Sequence, residues 1–263
     1  MAVAISAPRV VATAGLCPSA VRFPVMEQDW AGLSFLHWRY DAREVQRLLP
    51  AGVTVEEFDG SAWVGLVPFQ LRVRLPHGPA LPWVGVFPET NVRTYVRGPD
   101  GRSGIWFLAL EAPRWLAIVA ARRTYRLQYR RAVMELRCTP AERTYTSWRT
   151  AHPHRGASSR ARVLVGERIA PADVSPLEHF LTARWRLYAS MWGGVGSARV
   201  WHAPWGLWRA VADDVDTHLI SACGLSVPVG APLVHACDDV HASLTRLTRC
   251  RVVPAACGAL ARG

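Results

Sequence analysis

The chain has no lysine: all 31 basic residues among its 263 positions are arginine. Imine chemistry on a side chain needs a primary amine, so lysine-based Schiff-base catalysis is excluded. The six cysteines (Cys17, Cys138, Cys223, Cys237, Cys250, Cys257) form no CxxC pair and no compact framework. They read as reduced, mostly buried thiols of a cytoplasmic protein. No apolar run is long enough to span a membrane. No GxSxG elbow or phosphate loop occurs, and Gly193-Gly194-Val195-Gly196 falls short of a dinucleotide fingerprint. No cofactor is therefore expected. His152-Pro153-His154 and the group His235, Cys237, Asp238, His241 lack the context of a zinc pattern, so no metal is expected either. Internal repeats and linker tracts are absent.

The formal charge is +11, from 31 basic against 20 acidic residues. That balance raises nucleic acid or an anionic surface as a partner. The arginines are scattered among apolar residues without a block of five or six, which argues against nucleic acid. Lysine-free composition rich in alanine and arginine reflects a GC-rich genome as readily as a partner. Neither a nucleic-acid nor a membrane partner is expected, and the oligomeric state stays open.

Half of the chain is apolar, enough for one large domain or two small ones. Residues 1–25 hold small residues and no acid. Arg9 and Pro8 interrupt a secretory-type run, and a mitochondrial-type leader fits loosely. The segment reads as a disordered tail or a false start ahead of Met26. Residues 26–250 read as one domain and 251–263 as a loose tail.

Asp41 to Leu49 reads as a short helix capped by Asp41 and stopped by Pro50. Ser61 to Val73 reads as an apolar strand in which Pro68 marks an edge or a bulge. Residues 89–97 and 104–111 form a hairpin across Gly98-Pro99-Asp100-Gly101. Pro113 to Ala121 reads as an apolar helix, and 122–138 as one or two strands alternating arginine with aromatics. Thr144 to Arg149 and Arg160 to Arg168 are further strands. Pro176 to Ser190 reads as one helix, with Ser175 and Glu178 set as a capping box. Val200 to Val211 is the last core strand region, and the chain after about residue 225 reads as partly loose. One α+β domain on an antiparallel sheet follows.

Within the hairpin, period two puts Glu89, Asn91, Arg93 and Tyr95 on one strand face, with Thr90, Val92, Thr94 and Val96 on the other. Such a polar row is costly to bury unless its members pair with each other or with a ligand. Glu89 and Arg93 are then either an internal ion pair or a base and a guanidinium free to clasp a carboxylate or enolate. Asn91 satisfies either a ligand or backbone groups at a bend. Arg123, Tyr125 and Tyr129 would share a strand face with Arg122 opposite, either as surface packing or as part of a site. His37 and His202 sit in tryptophan-rich sequence, as hydrogen-bonded core residues or as proton-transfer partners of Glu89.

Several stretches in order resemble the YqjF-like, or DUF2071, family: His37-Trp38, Leu48-Leu49-Pro50, FDGSAWVGLVPF (58–69), ETNVRTYV (89–96), GIWFLALEA (104–112), Ala121-Arg122 with Tyr125, Leu127 and Tyr129, LEHFLTARWRLY (177–188) and HAPW (202–205). The resemblance implies a fold related to acetoacetate decarboxylase, a curved antiparallel β-barrel with a few peripheral helices around a central cavity. In that enzyme a cavity glutamate and an imine-forming lysine act together. Glu89 resembles the glutamate. Ala121 to Arg130 resembles the lysine segment, with Tyr129 in place of the reactive lysine and Arg130 in place of its neighbour. Tyrosine forms no imine, so the resemblance does not carry the decarboxylase mechanism. Tyr129 can still act as acid or base where arginines lower its pKa. The expected site comprises Glu89 and Tyr129 as catalytic groups. Asn91, Arg93, Tyr95, Arg123, Tyr125, His37 and His202 would line a site for a small organic ligand such as an anionic carbonyl compound. A non-catalytic carrier, sensor or interaction module is the alternative.

Overall fold

A computed structural model of the chain describes residues 18–76, 78–79 and 85–251. Residues 1–17 of the leader segment and 252–263 of the terminal tail lie outside the described residues. Pro18 and Ser19 present their carbonyls to Trp201 and Arg199.

The first half runs β1 (Met26–Ala31), β2 (Ser34–Tyr40), α1 (Ala42–Gln46), β3 (Thr54–Val55), β4 (Ala62–Arg74), β5 (Val86–Arg97), β6 (Ser103–Ala112) and α2 (Trp115–Thr124). The second half runs β7 (Tyr129–Cys138), β8 (Glu142–Arg149), β9 (Ser158–Arg168), α3 (Pro176–Thr182), β10 (Arg186–Met191), β11 (Gly194–His202), β12 (Leu207–Asp216), α4 (His218–Ser221), β13 (Leu233–Cys237), β14 (Val240–Leu244) and β15 (Thr248–Arg249). Strands dominate and helices are few. Asp41 caps α1 through Arg43 and Glu44 amides, as the sequence suggests.

The sheet is mixed rather than purely antiparallel. β10 pairs with β6, and β6 with β7, in parallel. Helix α2 carries the chain from β6 to β7, and a crossover of that kind permits parallel pairing. The strand path also returns on itself: β1 bonds to both β14 and β4, and β6 bonds to β10, β7 and β5. Two circuits of pairing result, and both run through β4, β5 and β6. Pro68 fits this switch. On one side β4 pairs with β2 up to Leu66 and with β1 from Gln70 onward, so the missing N–H falls between two partners.

Two of the departures from the sequence reading lie after residue 175. The helix expected over Pro176 to Ser190 ends at Thr182, and the chain re-enters the sheet as β10. Side chains take the carbonyls that would have continued it: Arg184 bonds to Phe180, Arg93 and Tyr95 to Leu181, and Trp205 to Thr182. The stretch 233–249 is likewise not loose. It forms β13, a buried strand between β12 and β2, then β14 and β15. Small residues there (Ala236, Ala242) are buried and suit close strand packing.

Strands β2, β4 and β5 are covered on both faces. One face holds Leu36, Val64, Leu66 and Val92, packed with Tyr145, Leu219 and Ile220. The opposite face of β4 and β5 carries Val67, Phe69, Leu71 and Phe87 together with the polar row.

Candidate functional site

Alternation along β5 survives in the structure: Glu89, Asn91, Arg93 and Tyr95 are all buried on one side. Register with β4 sets them at successive levels, Glu89 opposite Phe69, Asn91 opposite Val67 and Arg93 opposite Gly65. The bulge between β5 and β6 near Arg93 lies on β6, so the row on β5 keeps its facing. Glu89, Asn91 and Arg93 line a cavity of about 880 Å³, in the range of small-molecule sites. Arg123, Tyr125 and Tyr129 line it as well.

Glu89 accepts a 2.7 Å hydrogen bond from the Tyr129 hydroxyl. Burial pushes the Glu89 carboxyl up to about 7, against smaller pulls from Tyr129 and Asn91. Tyr129 moves the opposite way from the lowering its arginines would give. Burial and the adjacent Glu89 hold its phenol well above the ordinary value. Tyr129 thus stays protonated and orients Glu89. The group that titrates near neutrality is Glu89.

Arg93 is 8 % exposed. It does not pair with Glu89. Its Nη2 donates to the Leu181 carbonyl at 3.0 Å and to the Tyr95 hydroxyl at 3.3 Å, and its guanidinium lies over the Phe35 and Tyr95 rings. Arg93 Nε and Asn91 Oδ1 are buried without a hydrogen-bond partner among the described residues. No ion pair of Arg93 with a described carboxylate occurs within 4.0 Å. A buried guanidinium without a counter-charge is an unstable arrangement that an anion would relieve.

Tyr95, His37 and His202 sit behind the cavity wall rather than on it. Tyr95 donates to the Leu181 carbonyl at 2.7 Å, so the 2.6 Å contact with His37 Nε2 has the imidazole as donor. Burial drives the His37 pKa well below its usual value, consistent with a neutral ring. Gly65 gives that ring its place, because a Cβ there would stand 2.9 Å from His37. His202 shares a short contact from Nδ1 to the Ala203 carbonyl and packs among Trp30, Trp185 and Trp205; burial lowers its pKa to about 4. Tyr95 holds Arg93 directly, and His37 holds Tyr95.

The strand expected to carry Arg123, Tyr125 and Tyr129 together is instead the end of α2, its cap at Tyr125, and the start of β7. The apolar residues 115–121 continue helically through Thr124, so only Tyr129 sits on a strand. Arg123 is exposed at the cavity rim, and the Tyr125 hydroxyl is tied to the Thr245 carbonyl. The histidines and Asp238 near the end go to separate partners: His235 to Glu178, His241 to Asp29, Asp238 to Arg168. Among the described residues no group of three or more His, Cys, Asp or Glu could hold a metal ion.

Sequence reasoning missed most of the apolar lining. Phe69 and Leu71 were legible as strand residues, whereas Phe87 lay two places before the strand as read, and register against the polar row was the available signal. Trp30 and Trp205 stack at 5.9 Å through non-local packing that no local pattern announces.

The architecture has solved counterparts at low sequence identity. One is the enduracididine biosynthesis enzyme MppR with HEPES buffer bound, with a TM-score of 0.58 and 13 % identity, covering 86 % of this chain and 88 % of that one. Another is acetoacetate decarboxylase from Legionella pneumophila, with a TM-score of 0.57 and 13 % identity over 88 % of this chain and 92 % of that one. At that identity the likeness establishes the fold alone. The protein YqjF of Bacillus subtilis (strain 168), itself uncharacterized, is 31 % identical over 212 residues, 80 % of this chain and 86 % of that protein. The model of DUF2071, described as an uncharacterized conserved protein, matches residues 27–241, and the chain belongs to that family.

Proposed function

We propose that this chain is a single-domain, cytoplasmic protein whose strand circuits form a barrel, and that the barrel interior binds a small anionic carbonyl compound. The observation that carries this reading is Arg93, a buried guanidinium on the cavity wall with no carboxylate partner among the described residues. An anionic ligand would supply the counter-charge that the Arg93 guanidinium lacks. Glu89, poised near 7 and held by Tyr129, would give or take a proton at a carbon beside the carbonyl. With no lysine in the chain, this chemistry proceeds without an imine.

Exposed arginines on the outer strands are engaged by acids, Arg160 with Asp214 and Arg162 with Glu142 and Asp213, which supports a small molecule over nucleic acid. Free cysteines at 138, 223, 237 and 250 support a reducing compartment. Carriage or sensing without chemistry is the second reading, favoured by the apolar majority of the lining.

Mass spectrometry of small molecules that co-purify with the protein tests the proposal. The expected result is an anionic species present with the wild type and depleted in Arg93→Ala and Glu89→Gln. Identical profiles for the three proteins would overturn it.

A further inference from the structure

The cavity is long as well as large. Along β5, Arg93, Asn91, Glu89 and Phe87 descend one wall at two-residue steps, facing Gly65, Val67, Phe69 and Leu71 on β4. At about 3.3 Å per residue, Arg93 and Phe87 are separated by roughly 20 Å and Arg93 and Glu89 by roughly 13 Å. The Arg93 guanidinium lies over the Phe35 and Tyr95 rings, 5.0 and 5.6 Å from their centroids. Beyond Arg93 the row ends at Tyr95, which is fully buried behind the wall. The opposite end opens at a rim that includes the exposed Leu75 and Leu116 and the arginines Arg123 and Arg246. A keto acid of three or four carbons spans one level of this wall and cannot touch Arg93 and Glu89 together. Between Glu89 and the rim the wall is mostly hydrocarbon, with Phe69, Phe87, Leu71 and Val73 on β4 and β5.

We infer that the ligand is an elongated amphipathic carboxylate. Its carboxylate seats on Arg93, a mid-chain oxygen function faces Glu89, and its apolar body runs out along Phe87 and Leu71 to the rim. This rests on the anionic-ligand reading above and sets the class within it: medium- to long-chain acids rather than short keto acids.

Isothermal titration with butanoate, hexanoate, octanoate and decanoate, and with 1-decanol as the uncharged control, tests it on the full chain. Affinity should rise about three- to fourfold per methylene across the series, as burial of each CH₂ in hydrocarbon demands. Arg93→Gln should weaken decanoate at least tenfold and leave 1-decanol unchanged. Leu71→Phe, which narrows the outer channel without touching Arg93, should weaken decanoate and spare butanoate, so the test survives a poorly folding Arg93 variant. Arg93-dependent binding with no gain from chain length would overturn the elongated class while leaving an anion site in place. Absence of any Arg93-dependent carboxylate binding would overturn both readings. Chain-length gain that ignores Arg93 would overturn the proposed seating.

Discussion

Glu89 is the residue whose chemistry is most exposed to measurement. Its folded pKa, about 7, stands above the ordinary 4.5 because burial penalises the carboxylate. The native state therefore holds a proton that the unfolded chain releases between those values. This contribution is fully present below about 4.5 and is lost as pH rises through about 7, on the order of 3 kcal/mol in total. The unfolding free energy of the wild type minus that of Glu89→Gln should fall by that amount over the window and stay level above it. Urea titrations at a series of pH values check this, and a flat difference would mean that Glu89 is ionised throughout. Tyr129→Phe removes a hydrogen bond that holds the Glu89 pKa down, so the upper end of the window should move above 7. A shift downward would sink the assignment of Tyr129 as the orienting donor. The polar row itself was legible from period two alone, because alternation on a strand is a local property. The direction of the Tyr129 shift was not, because it depends on burial and on Glu89 arriving from another strand.

At the scale of elements, α3 shows where local pattern and tertiary structure part. Leu177, Phe180, Leu181, Trp185 and Tyr188 have helical spacing, yet only the first three are in the helix. Its start was readable: Ser175 and Glu178 form the capping box, with the Ser175 amide donating to Glu178 at 2.6 Å and the Glu178 amide to Ser175 Oγ at 3.2 Å. Its stop was not, since the side chains that take its last carbonyls come from β5 and from the segment 184–205. The cap also ties the helix to the sheet, because the other Glu178 oxygen meets His235 Nε2 at 2.9 Å. Ser175→Ala should cost about 1 kcal/mol of stability. Glu178→Ala should cost clearly more, since it also strips the buried His235 of its partner. Urea midpoints compare the two, and equal losses would show that the His235 contact adds nothing. The same helix end holds Arg93 and Tyr95 through Leu181, so loosening it should also weaken the Arg93-dependent carboxylate binding tested above.

At the scale of the whole molecule, the decisive feature is closure of the ladder. The resemblance implied a hollow sheet, but composition and periodicity could not say which strands meet. β1 pairs with β4 and with β14, which lies over two hundred positions away, and such pairings leave no local trace. Closure explains how an 880 Å³ interior persists beneath so few helices: most strands find a neighbour on each side, so the wall does not depend on filling. Sharing of β4, β5 and β6 by both circuits predicts that the described strands unfold as one cooperative unit. Val92→Ala removes buried hydrocarbon from β5 on the face away from the cavity, which should cost about 1 to 3 kcal/mol by the usual large-to-small range. Because that strand belongs to both circuits, far-ultraviolet circular dichroism and tryptophan fluorescence should lose their midpoints together and by the same amount. The tryptophans sample both circuits, Trp30 and Trp201 on one and Trp148 and Trp208 on the other. Two separated transitions, or a shift in one probe alone, would show that the circuits unfold independently and that the cavity wall is not a single cooperative structure.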